Sequence, residues 1–313
     1  MKLLTGIFLL GLTAPAFAGV IRHDIDDSVY RAIGNDPAFH SVGAIIGASA
    51  EGNYGCSGTA ISNHWVLTAA HCVDTATSID FYLRDANGNY SPHAGTTWFA
   101  NENWNTNNLL DGWDIGLIHV RDSLNVFPIE LYRGDNELFS MGLSVGFGRT
   151  GDGLTGDISP FGTKRGGLNI IDDVWSLAGS GDQMIWSDFD HPTDPTLNTL
   201  DYPEFSFDDL ATPFEYGIAP GDSGGGVFIV ENNQFYLAGV HSIGLDFNDN
   251  SLVDYGDVYA STRVSSFADW IDFKMATTAV PESNNLAMFV SALCGLGFVR
   301  TRKQRKIHRA HAS

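Results

Sequence analysis

Gly221-Asp222-Ser223-Gly224-Gly225-Gly226 is the stretch on which the reading turns, a serine set in a run of glycines. Glycines let the backbone curl tightly, so a turn is expected in which the N–H groups of Gly221 and Ser223 point at one spot. An oxyanion held there by two preorganised donors would gain about 3 kcal/mol from each in the transition state. A serine hydroxyl attacks poorly unless a base takes its proton. Upstream, Leu67-Thr68-Ala69-Ala70-His71-Cys72 supplies an imidazole, a group that titrates near neutrality. Trp113-Asp114-Ile115-Gly116-Leu117-Ile118 supplies a carboxylate at the head of an apolar strand, placed to fix the imidazole tautomer and stabilise its charged form. Each has a plainer account when taken alone: a satisfied core histidine, a capping aspartate, a hairpin. Together, and in this order, they describe nucleophilic catalysis by Ser223 with His71 as base and Asp114 as its partner.

Around these stretches the chain reads as short strands broken by Gly, Asn, Asp and Pro. Strands are expected at 42–46, 59–67, 115–120, 143–147, 226–230 and 235–242. One helix is expected at 264–275, with Val264, Phe267, Ala268 and Ile271 on one face. A chain of 313 residues with 43% hydrophobic and 12% aromatic side chains can build a substantial core. Its 35 glycines against 17% charged residues favour turn-rich β structure. The net charge of -20 argues against nucleic acid as a partner. The basic residues also crowd the ends, with Lys2 in the first segment and Arg300, Arg302, Lys303, Arg305, Lys306 and Arg309 in the last. The body is therefore more acidic still, soluble and receptive to cations.

Both ends read as addresses. Met1-Lys2, the apolar run 3–12 and Ala16-Phe17-Ala18 make a secretory signal over residues 1–18, to be cut by signal peptidase before Gly19. At the other end Val280-Pro281-Glu282-Ser283 precedes the apolar run 286–299 and the basic cluster. Fourteen apolar residues fall short of a comfortable membrane span, and the cluster would be held on the cytoplasmic side. This ending resembles the PEP-CTERM sorting signal of Gram-negative bacteria, with Ser283 where a second proline is usual; the resemblance implies processing by an exosortase. A plain tail anchor is the alternative. Either way the tail is not part of the folded body, and a transient membrane tail is the expectation. Cys294 lies in that tail, which leaves Cys56 and Cys72 in the body. No CxxC or HxxxH spacing supports zinc; an exported pair can oxidise, and a disulfide closing about 15 residues would gain roughly 3 kcal/mol.

Thr68-Ala69-Ala70-His71-Cys72, Asp114-Ile115-Gly116-Leu117-Ile118 and the Gly221–Gly226 block resemble the three signature blocks of the trypsin/chymotrypsin-like serine peptidases. The resemblance implies that Ser223, His71 and Asp114 are the nucleophile, base and carboxylate of that family's triad. Cys56-Ser57-Gly58-Thr59, Gly239-Val240-His241-Ser242-Ile243-Gly244 and Thr262-Arg263-Val264 extend the resemblance to about residues 40 to 273. It implies an all-β fold of two six-stranded antiparallel Greek-key barrels with a C-terminal helix. The expected division is a leader at 1–18, an N-terminal barrel at 19–127 carrying His71 and Asp114, a C-terminal barrel with closing helix at 128–275 carrying Ser223, and the linker and sorting tail at 276–313. It also implies that Ser242, Ile243 and Gly244 pair with substrate backbone.

The family's main specificity position falls on Gly217, which has no acid to attract arginine or lysine. Asp257 falls on the back wall of the same pocket, where glycine is common, and an acid there would reach a basic side chain from the other side. A rival use of Asp257 exists. Asp246, Asn248, Asn250, Asp254 and Asp257 stand at positions 1, 3, 5, 9 and 12 of a twelve-residue loop, a spacing suited to structural calcium. Position 6 is Ser251 and not glycine, and the bland alternative is a solvated acidic turn. In the family a freed N-terminal amine pairs with the aspartate before the serine, here Asp222, and opens the oxyanion site. The usual activation sequence is not present, but signal cleavage would expose the aliphatic start Gly19-Val20-Ile21. The expected function is an exported endopeptidase acting on protein or peptide substrates, in the Gram-negative envelope or secreted, needing no cofactor for its chemistry. Alternatives are a non-catalytic binding module on the same scaffold, or an esterase, although that class places its histidine last in the chain.

Overall fold

The computed structural model describes residues 19–85, 88–179, 181–200, 211–247, 250 and 252–278. The segments expected to be a leader and, from residue 279 with Cys294, a sorting tail, and Asn248 of the acidic loop, lie outside the described residues. Two compact units are distinguished, Met1–Asp269 and Trp270–Ser313.

The first unit begins with β1 (Gly19–Ile21) and α1 (Asp27–Gly34), and then builds a barrel. Its strands are β2 (Val42–Ser49), β3 (Gly52–Ala60), β4 (Trp65–Thr68), β5 (Ser78–Arg84), β6 (Tyr90–Ala100) and β7 (Gly116–Val120). They close in the order β2-β3-β4-β7-β6-β5, every pairing antiparallel. In β5, Ile79, Phe81 and Leu83 are buried while Asp80 and Tyr82 between them are not, the period-two pattern of a strand with one face on a core. The single strand expected at 59–67 is in fact two strands. Ser62-Asn63-His64 turns the chain, and the amide of Ile61 closes that turn on the carbonyl of Trp65 at 2.9 Å.

The second half contains β8 (Glu130–Leu131), β9 (Met141–Gly146), β10 (Thr150–Asp152), β11 (Gly156–Ser159), β12 (Arg165–Ile170), β13 (Asp173–Val174), β14 (Met184–Asp188), β15 (Tyr216–Gly217), β16 (Gly226–Glu231), β17 (Gln234–Leu245) and β18 (Val258–Arg263). Its main sheet runs β12-β9-β16-β17-β18-β14-β13, with β8 added in parallel to β17. This is a half-barrel. Between β12 and β14 the link is made by side chains: Asn169 Nδ2 donates to the carbonyl of Asp188, and Ser187 Oγ to that of Ile170.

The stretch 19–41, grouped with the first barrel on sequence, begins in the second half instead. β1 pairs in parallel with β10 and antiparallel with β15. Val20 packs with Phe189, Ala219 and Tyr255, and Ile21 with Tyr30, Tyr216, Ile218 and Tyr259. Helix α1, not foreseen, is capped by Asp26, whose side chain accepts from the amide of Ser28 at 2.8 Å. The helix expected at 264–275 starts as a 3-10 turn, Val264–Phe267, and continues as α2 (Ala268–Thr277).

Candidate active site

His71 sits in a 3-10 turn, Ala70–Cys72, directly after β4. The two alanines that precede it, Ala69 and Ala70, are fully buried, and a Cβ on Gly116 would approach the Ala69 carbonyl at 3.0 Å. Asp114, just before β7, is fully buried and holds the turn at two points. Oδ1 accepts from the His71 amide at 2.9 Å, and Oδ2 meets His71 Nδ1 at 2.7 Å. A carboxylate acceptor puts the ring proton on Nδ1 and leaves Nε2 with its lone pair, the arrangement a general base needs. Two residues of the second half brace the same aspartate. Ser242 Oγ donates to Oδ2 at 2.7 Å, and Thr262 Oγ1 donates to the backbone carbonyl at 2.7 Å. Burial pulls the imidazole pKa down, but the charge of Asp114, its hydrogen bond and the more distant Asp74 together outweigh burial and raise it. Trp104, which sequence reasoning missed, lies 6.2 Å from His71 between ring centroids and donates to Asp74 Oδ2 at 2.8 Å.

Ser223 lies in the turn leading to β16. Gly221 and Gly224 have φ of 99° and 82°, a region that favours glycine, and a Cβ on Gly224 would fall 2.1 Å from Thr68 Oγ1. The turn is tied down on every side. The Ser223 carbonyl accepts from the Ser57 amide at 2.8 Å, Gly225 N donates to Asp222 O at 2.7 Å, and Gly224 N donates to His241 O at 2.8 Å. Beneath it, the buried Asp222 carboxylate accepts from Gly148 N at 2.8 Å, Ala219 N at 3.0 Å and Tyr216 OH at 3.3 Å. Burial, partly offset by those donors, pushes its pKa up to about 7.

The expected Cys56–Cys72 disulfide is formed, with Cα atoms 6.2 Å apart. Both sulfurs and a ring nitrogen of His71 lie within 4.8 Å of one another. Cys72 Sγ is also 3.6 Å from the Ser223 carbonyl, so histidine and serine flank one covalent staple. Its sulfurs are committed to each other, which makes this a brace and not a metal site. Another residue absent from the sequence-based set is His241, fully buried under the nucleophile turn. Its Nδ1 is 3.0 Å from Ser261 Oγ, and burial pushes its pKa down to about 3, so it is neutral. No local signal distinguishes it from a surface histidine.

A cavity of about 410 Å³ opens beside Ser223, and Ser242, Ile243, Gly244 and Asp257 are on its wall together with Ile218, Leu252 and Val253. Gly217 stands one layer back: a Cβ there would meet the ring of Phe189 at 3.1 Å and Val253 at 3.4 Å. In the acidic loop, Asn250 Nδ2 donates to Asp254 Oδ2 at 2.6 Å. The carboxylate of Asp257 turns inward and accepts from the amides of Phe247 and Asp254, each at 3.1 Å. Among the described residues Asp246, Asp254 and Asp257 do not gather their oxygens within 4.8 Å of one another.

Residues 33–160 match the Trypsin family model, a stretch that carries His71 and Asp114. Chymotrypsin-like elastase family member 1 of Macaca fascicularis is 35% identical over 78 residues, 23% of this chain and 29% of that protein. The Bos taurus protein of the same description is 36% identical over 75 residues, 22% of this chain and 27% of its own length. A chymotrypsin of Phaedon cochleariae is 26% identical over 162 residues, 48% of this chain and 55% of the relative. The chain thus spans less than a third of the elastases it matches and about half of that chymotrypsin. The solved structure of HL collagenase superposes with a TM-score of 0.55 at 20% identity, covering 77% of this chain and 95% of the other. That likeness extends across both halves and establishes the fold. The chain has the chymotrypsin-like two-barrel fold, with a closed first barrel and a half-barrel second, and its sequence is similar to trypsin-family peptidases in the half that bears His71 and Asp114.

Proposed function

We propose that this protein is an exported serine endopeptidase that cleaves protein or peptide substrates through an acyl-enzyme on Ser223. The observation that carries the reading is the buried Asp114 carboxylate, bonded at once to His71 Nδ1 and Ser242 Oγ while the Ser223 turn sits on the adjoining disulfide. In this reaction His71 Nε2 takes the Ser223 proton as Oγ attacks the scissile carbonyl. The amides of Gly221 and Ser223 receive the oxyanion, and the same proton then passes to the leaving amine. Water reverses the steps, again with His71 as base, and frees the acid product and the serine.

Export is supported by the disulfide, a bond kept in oxidising compartments. Residence in a Gram-negative envelope, with signal peptidase and an exosortase as processing partners, completes the proposal from the two end segments. The N-terminal strand fits the same picture. A Cβ on Gly19 would fall 2.1 Å from the Tyr216 hydroxyl, which itself donates to Asp222 at 3.3 Å, so an amine freed at Gly19 would arise against the tyrosine that bonds the buried carboxylate. Structural calcium on the acidic loop is a separate proposal, measured by melting before and after chelation: a lower melting temperature supports it and an unchanged one removes it.

The test is a fluorophosphonate probe applied to the purified protein, read by intact mass, with Ser223→Ala as control. Labelling that vanishes in the variant, together with peptide cleavage, supports the peptidase reading. Labelling with turnover of simple esters alone would favour an esterase. No labelling in a chain whose mass begins at Gly19 would leave a binding module on this scaffold.

A further inference from the structure

We infer that His64 and His119, outside the core of the first barrel, form a divalent transition-metal site that binds through Nε2 of both rings and clamps β4 to β7. The inference does not depend on the peptidase reading. His119 stands between Ile118 and Val120, both fully buried, so its side chain points away from the barrel core. Trp65 of β4 lies directly opposite it, and His64 is the residue before Trp65, so the two imidazoles meet at one end of this strand pair. Their centroids are 5.9 Å apart and their planes 18° from parallel. An ion held at about 2.0–2.1 Å by an imidazole nitrogen lies about 3.2 Å from the ring centre. Two rings sharing one ion therefore stand about 5 to 6.4 Å apart, a range that includes this pair. The far end of β4 leads to His71, and β7 begins two residues after Asp114. An ion here would tie together the two strands that present those side chains.

Hydrogen bonds around the rings prepare both Nε2 atoms. His64 Nδ1 is 3.3 Å from the Val120 carbonyl, a group that only accepts, so Nδ1 carries the proton. The His64 carbonyl accepts in turn from the Val120 amide at 2.9 Å, which holds the residue against β7. His119 Nδ1 is 2.8 Å from Thr96 Oγ1, whose own proton goes to the His119 carbonyl at 3.0 Å. The hydroxyl oxygen is thus the acceptor for Nδ1–H, and Nε2 keeps the lone pair. Thr96 reaches this position because β6 bulges between Gly95 and Thr97. Trp65 steadies the ring edge-on, with centroids 5.0 Å apart. His119 Nε2 is buried and receives no hydrogen bond from the protein, a state that proteins relieve with a water or an ion. Burial first and His64 second lower the His119 pKa, so its ring is neutral at pH 7.5. A neutral imidazole whose other N–H is bonded to a fixed acceptor is the form that zinc, nickel and copper take. His23 and His191 give the contrast. Their centroids are 5.5 Å apart, but His191 Nδ1 accepts from the amides of Thr193 and Asp194, so its proton sits on Nε2 and no lone pair remains.

The test titrates the full chain at pH 7.5 with NiCl2 by calorimetry and with CuCl2 by electron paramagnetic resonance. His64→Asn and His119→Asn delete Nε2 and keep a donor where Nδ1 stood. His308 and His311 are common to every protein compared, so differences isolate the pair. Each variant should lose one bound nickel, or hold it at least about 100-fold more weakly, because two imidazoles fixed together act as a chelate. The copper spectrum of the wild type minus that of the double variant should show splitting from two nitrogens. Thr96→Val leaves both histidines in place and should weaken the site by about 10- to 100-fold, since it releases the His119 tautomer. Saturating zinc should raise the melting temperature of the wild type by several degrees and leave the double variant unmoved. His64 lies in a turn, so His64→Asn decides the matter if His119→Asn fails to fold. Equal nickel binding by the wild type and His64→Asn would overturn the inference and leave a water as the partner of His119 Nε2. A Thr96→Val protein that binds like the wild type would overturn it too.

Discussion

His241 makes the acid stability of this fold measurable at one residue. Its imidazole is fully buried, with Nδ1 against Ser261 Oγ at 3.0 Å, and its backbone holds the nucleophile turn through Gly224 N and Gly225 O. The folded pKa is depressed by burial to about 3, whereas an unfolded histidine titrates near 6.5. Between those values the unfolded chain binds one more proton than the folded one. Stability from this group is therefore complete above about pH 6.5 and is lost as the pH falls toward 3, at about 1.4 kcal/mol per pH unit. At pH 5 the loss is about 2 kcal/mol.

Other buried groups act with the opposite sign. Asp222 at about 7 and Glu215 at about 8 keep their protons in the folded state, both chiefly through burial. Their contribution is full below the ordinary carboxylate range and fades as pH rises through those values. The absolute pH profile is thus a sum, and a difference isolates the histidine. The variant is His241→Leu with Ser261→Ala, which removes both hydrogen-bond partners and orphans neither. Urea unfolding followed by tryptophan fluorescence should show wild type losing about 2 kcal/mol relative to the variant between pH 7 and pH 5. Parallel curves over that range would mean that His241 is not buried and neutral, and the account of the turn above it would fall.

Three further outcomes are expected. Because the His71 pKa is raised, the acid limb of kcat/KM should lie above pH 6.5, and Asp74→Asn should move it down; a limb at or below 6.5 would mean that the charges of Asp114 and Asp74 do not outweigh burial. Replacing both Cys56 and Cys72 by serine should cost about 3 kcal/mol and lower the melting temperature by several degrees in calorimetry, since the bridge closes a 16-residue separation. Arg263→Ala should cost about 3–5 kcal/mol, because Glu137 is fully buried and takes Arg263 Nε at 2.8 Å and Nη2 at 2.7 Å. Adding Glu137→Leu to that variant should recover much of the loss, and a double variant no more stable than the single one would refute the ion-pair account.

Much of this protein was legible along the chain because its chemistry is carried by short runs. A histidine after two alanines, an aspartate heading an apolar strand and a serine among glycines each need only local backbone to be recognised, and so do apolar strands such as β7 and β16 and the cysteine pair. The turn at Ser62-Asn63-His64 was lost inside a run of strand-forming residues, and α1 was too short to show a period. Contacts between distant segments decided the remainder. Nothing near Gly19 says that β1 joins β10 and β15, about 130 and 200 residues away, because pairing depends on which edges the folded halves leave open. Nothing near Asp157 says that it finds Arg149, and nothing near His241 says that it is entombed beneath Ser223. The sequence alone determined which reactive groups are present and what turns and strands bear them. Their neighbours, and so their charge states, were settled by tertiary packing, because desolvation and ion pairing depend on what surrounds a group in space.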